Sequence, residues 1–95
     1  MEPKTIRPAA KKIQERFFLA VNECIQKKKI RSLRGFCMDY ELHQPKYATL
    51  NKVHSEPGKV GAYKLIDIDA IYYIVKDCEV SLEWIMMGKG NMFKK

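Results

Sequence analysis

The sequence has little of what marks disulfide-stapled, membrane-spanning or disordered chains. Cys24, Cys37 and Cys78 are odd in number and widely spaced, which excludes a disulfide framework, and no secretory signal precedes them. The compartment this implies is a reducing cytoplasm. The longest apolar run, Ala70 to Val75, has six residues, far short of the roughly 20 that a spanning helix needs, so no membrane association is expected. With five glycines and four prolines the chain is neither collagen-like nor of low complexity. No stretch alternates convincingly with period two, which argues against strands. Nor is there a nucleophile paired with a base, a glycine-rich phosphate loop or a paired-carboxylate motif, and the expectation is a non-enzyme with no cofactor.

What is present fits one small domain of 95 residues. The formal charge of +7 is unevenly spread: residues 1–34 hold ten basic and three acidic side chains, while the remainder is balanced. A basic surface of this kind points to a polyanionic partner, nucleic acid above all.

Apolar spacing predicts five short helices and hence an all-α fold. Met1 to Ala10, with Pro3 and Pro8, reads as a flexible basic arm (1–10) preceding a domain over 11–95. Ile13, Phe17, Ala20, Val21, Cys24 and Ile25 recur every three or four residues, predicting a first helix that ends near Lys28 and leaves Lys12, Arg16, Glu23 and Lys27 wet. Ser32 is a good N-cap for a second helix facing inward through Leu33, Phe36, Cys37 and Tyr40. Pro45 marks a third start, with Gln44 or His43 as cap and Tyr47, Leu50 and Val53 inward. Residues 55–65 read as a loop. Asp67 or Ile66 opens a fourth helix whose apolar face is Ile68, Ile71, Tyr72, Val75 and Cys78, with Asp67 and Asp69 as capping acids. Ser81 caps a fifth, Leu82 to Met87, stopped by Gly88 and Gly90.

Two short helices joined by about three residues, with small Cys37 inside the first and apolar anchors flanking the turn, predict a helix-turn-helix unit over Ser32 to Val53. The outward row is then Gln44, Lys46, Ala48, Thr49 and Lys52, short polar and methyl groups able to reach base edges in a major groove, and the basic run from Lys27 to Arg34 stands at the corner leading into the second helix.

This stretch resembles the lambda-repressor-like helix-turn-helix regulators of bacteria and phages. The ending Val80, Ser81, Leu82, Glu83, Trp84, Ile85, Gly88, Lys89, Gly90, Asn91, Met92, Phe93 is similar to their V-S-x-x-W-L-x-x-G-x-G-x-M pattern. The resemblance covers Ile13 to Phe93 and implies a compact five-helix domain with helices 2 and 3 as the motif, the outward row of the third helix facing bases, Lys28, Lys29, Arg31, Ser32 and Arg34 facing phosphates, and double-stranded DNA as partner, bound by a homodimer. Glu41 stands where such regulators often have Gly, in a turn position of positive φ.

Simpler readings compete with these. Tyr72 and Trp84 are expected in the core, whereas Tyr73, Met86, Met87 and Met92 are candidates for a dimer contact. Cys37, His43, His54 and Cys78 lack the close spacing of structural zinc ligands, so no metal is expected: the cysteines should fill core gaps and both histidines be exposed. The alternative function is a protein-interaction module, such as an antitoxin-like partner built on a decayed helix-turn-helix, and a structured-RNA binder comes third.

Overall fold

Only one of the predicted helices is long enough to touch all the others, and it forms the axis of the molecule. The computed structural model describes residues 7–55 and 65–93. Among these, the chain forms α1 (Pro8–Gln26), α2 (Leu33–Asp39), α3 (Gln44–Ser55), α4 (Ile68–Cys78) and α5 (Leu82–Met87). The described residues contain no strand beyond one isolated antiparallel bridge, Val80 to Phe93. The all-α expectation holds at this level. The first helix starts at Pro8, so residues 8–10 leave the predicted arm: proline's fixed φ suits a first helical turn, where its missing N–H has no bond to lose. Residues 1–6 of the arm, and residues 56–64 of the predicted 55–65 loop, lie outside the described residues.

α1 packs against each of the other four helices. Phe17, Phe18, Ala20, Val21 and Cys24 on its inner face are fully or almost fully buried. The Phe17 and Phe18 rings meet edge to face at 4.9 Å, and each lies 6.3 Å from the ring of Tyr47 on α3, a geometry that adds quadrupolar attraction to apolar burial. Cys24, Cys37 and Cys78 are buried thiols filling the core. Burial pushes the Cys24 thiol up to about 12 and that of Cys37 to about 11, which keeps both protonated.

α4 is rotated from its predicted face. Ala70, Ile74 and Cys78 are fully buried, whereas Ile68 is 87% exposed and Tyr72, expected inside, is 60% exposed. Tyr73 takes the inward place, stacking on Tyr40 at 4.1 Å. Because the run Ala70 to Val75 is apolar on every side, periodicity alone selects no face. Trp84 does pack against the core. Arg16, expected wet, reaches α5 instead: its Nε donates to the Ile85 carbonyl at 2.7 Å and an Nη donates to that of Met86 at 3.1 Å. These are last-turn carbonyls with no partner inside their own helix.

Helix ends follow the side-chain chemistry. The Ser32 and Ser81 hydroxyls accept from Gly35 N–H (3.0 Å) and Trp84 N–H (3.2 Å), as N-caps should. α1 and α2 both stop in Schellman turns: Lys29 N–H donates to the Cys24 carbonyl and Leu42 N–H to the Cys37 carbonyl, each at 2.8 Å. The residues that turn the chain have positive φ without being glycine, Lys28 at 63° and Glu41 at 58°, and Glu79 does the same after α4 at 58°. Gly88 occupies this conformation after α5, and a Cβ there would come within 3.2 Å of an Arg16 Nη.

Opposite effects follow at two positions of similar backbone. Glu41→Gly should stabilise the fold by about 1 kcal/mol by removing left-handed strain, and Gly88→Ala should destabilise it by at least about 1 kcal/mol by adding such strain and crowding Arg16. Urea melts followed by circular dichroism measure both.

Candidate nucleic-acid interface

The orientation of α3 is set by polar groups that must find partners inside the core. Tyr47 is fully buried, and burial pushes its hydroxyl well above the usual tyrosine range. That hydroxyl donates to the Asp67 carboxylate at 2.8 Å and accepts from Asp67 N–H at 2.8 Å. Asp67 stands at the N-cap of α4 but makes no side-chain cap; its carboxylate is committed to α3. Gln14 of α1, 2% exposed, accepts from Ile66 N–H at 2.7 Å and donates through Nε2 to His54 Nε2 at 3.0 Å. His54 is half-buried and stacked on Phe18 at 5.9 Å, contrary to its predicted exposure. Since Gln14 uses its carbonyl oxygen on Ile66, His54 Nε2 must accept, and the ring proton belongs on Nδ1, which is buried with no partner among the described residues.

With Tyr47 and Leu50 inward, a rotation of about 100° per residue places Pro45, Ala48, Thr49 and Lys52 on one exposed stripe, and all four are exposed. Gln44 borders this stripe and is half-buried. Lys46 leaves the predicted row. It lies round the flank of the helix, where its Nζ is 3.5 Å from the Asp67 carboxylate and 5.4 Å from the centre of the Tyr47 ring, and its side chain is 20% exposed. Pro45, at the N-terminal end of the stripe, is accounted for in the sequence by its helix-starting role.

The predicted phosphate group divides similarly. Lys28, Arg31 and Arg34 are exposed, and their side chains make none of the described hydrogen bonds or ion pairs. Lys29 is exposed but pairs with Glu79 at 3.9 Å and lies over the Phe93 ring at 5.6 Å, with Lys27 at 5.1 Å from the same ring. Ser32 spends its hydroxyl on the α2 cap. Among the described residues, no three His, Cys, Asp or Glu side chains gather as metal ligands would, and no helix is long and apolar enough to cross a membrane.

No family model, curated protein or solved structure matches this chain. The functional reading therefore rests on its own residues.

His54 makes the α1–α3 contact sensitive to pH. Burial, with Lys11 adding to it and Glu15 opposing it, holds the imidazole below its ordinary value of 6.5, and a proton on Nε2 would face the Gln14 amide donor. Below pH 6.5 the unfolded chain therefore takes up a proton that the folded one refuses, so this contribution to stability is complete above that pH and is lost as pH falls towards the folded value. His54→Gln should flatten the fall in melting temperature between about pH 7 and 5, as thermal melts across that range would show.

Proposed function

We propose that this protein is a cytoplasmic, sequence-specific regulator that binds double-stranded DNA as a homodimer, using α2 and α3 as a helix-turn-helix of the lambda-repressor-like kind. The observation that carries this reading is the pairing of two surfaces with different chemistry. α3 presents a narrow stripe of methyl, hydroxyl and single-cation groups, short enough to approach base edges in a major groove. Beside the start of α2, Lys28, Arg31 and Arg34 supply uncommitted positive charge for phosphates. The turn between the helices holds Glu41 in the left-handed conformation expected of that position, which supports the motif's register.

Within this reading, Ala48, Thr49, Lys52 and the flanking Gln44 read bases. Lys46 is a positioning residue whose charge is directed at Asp67, so its removal should alter sequence preference less than that of Thr49.

Binding to a random duplex library, followed by sequencing of the retained fraction, should enrich one palindrome. With Lys28, Arg31 and Arg34 of both protomers engaged, about six backbone contacts, affinity should fall with salt at a log-log slope near −5. Thr49→Ala and Gln44→Ala should each cost about 1 to 3 kcal/mol on the enriched sequence alone, while Arg31→Ala and Arg34→Ala weaken enriched and random duplexes alike. Tight capture of a protein partner with no enriched duplex would favour the interaction-module alternative.

A further inference from the structure

A cavity of about 270 Å³ lies between α2, the α1–α2 connection and the end of α4. Its volume falls just below the range of drug-sized ligand pockets, at the scale of a small metabolite. Both signs of charge line it: Lys29 and Arg31 from the connection, Asp39 from the last turn of α2 and Asp77 from that of α4. Phe36 and Tyr40 contribute apolar and aromatic wall.

The two carboxylates have no structural employment. Neither makes an ion pair with a lining cation or any hydrogen bond among the described residues. Both also stand at the negative ends of helix dipoles, where a carboxylate is disfavoured and a cation welcome. Arg31 is likewise uncommitted, and Lys29 only partly engaged at 3.9 Å from Glu79. A simple anion in this space would face Asp39 and Asp77; a simple cation would face Arg31 and Lys29. A molecule carrying both charges satisfies each wall and leaves no lining charge opposed.

We propose that this cavity binds a small zwitterion of amino-acid size, its carboxylate towards Arg31 and Lys29, its ammonium towards Asp39 and Asp77, and its apolar part against Phe36 and Tyr40. The site shares Arg31 with the phosphate-facing group of the DNA-binding reading but does not require that reading to hold, because the cavity is formed by the free protein and its occupant is not nucleic acid.

The test is a titration of the ¹⁵N-labelled full chain with each of the twenty free amino acids at millimolar concentration, followed through the amide signals of Arg31, Gly35, Tyr40 and Asp77. At least one should give saturable shifts confined to these residues. For that amino acid, the N-acetyl derivative and the carboxamide should each bind at least tenfold more weakly. Arg31→Ala, and Asp39→Asn combined with Asp77→Asn, should lose binding at least tenfold with dispersed spectra retained, while Thr49→Ala binds normally. Should a charge variant lose its dispersion, the two blocked derivatives on the unaltered protein carry the same decision. No saturable shift with any of the twenty, equal binding of a blocked derivative, or shifts reproduced by inorganic phosphate would overturn the proposal.

Discussion

Two polar side chains inside an apolar core, Gln14 and Tyr47, decide how this small domain closes. Each is buried, so each must find hydrogen-bond partners or bear the desolvation of its polar atoms. Both find them on consecutive backbone N–H groups, those of Ile66 and Asp67, immediately before α4. The start of α4 is thereby fixed to α1 by one contact and to α3 by the next. The rotation of α3 follows, because the Tyr47 hydroxyl reaches Asp67 only when that side of the helix faces inward. The stripe of Ala48, Thr49 and Lys52 is outward for the same reason. The composition of the exposed face and the polar content of the core are one constraint seen from two sides.

Features whose cause lies within a few residues were legible in the sequence. Ser32 and Ser81 cap because their hydroxyls reach an N–H three positions on, and α5 ends at Gly88 because glycine accepts the left-handed conformation. Glu41 was legible through the motif, although its residue type argues against the position. What stayed hidden depends on partners far along the chain. Lys46 meets Asp67 from 21 residues away, His54 meets Gln14 from 40, and Arg16 meets α5 from about 70. No local spacing encodes such pairs, and each moves a residue assigned to solvent into a contact. The rotation of α4 has another source, since its run from Ala70 to Val75 is apolar all round and offers several faces, among which only the surrounding packing chooses.

The same distinction governs the candidate interface. Stripe membership on α3 followed from helical geometry once two inward anchors were identified, and three of the five base-facing candidates lie fully on it. The phosphate group was found as a charge run, and a run cannot say which cations are already occupied. Three remain uncommitted, one is partly paired, and Ser32 is committed to its helix.

The bridge between Val80 and Phe93, with Ser81 N–H donating to the Met92 carbonyl at 2.7 Å, folds residue 93 back beneath Lys27 and Lys29. This matters for handling the protein at the bench. Any fluorophore, affinity tag or surface linker joined shortly after Phe93 is delivered to the edge of the basic cluster. An acidic tag there would act as an intramolecular competitor for those lysines at high effective concentration, and immobilisation through it would shield the same face. An attachment point on the exposed outer side of α4, such as Lys76, keeps the cluster open to solvent.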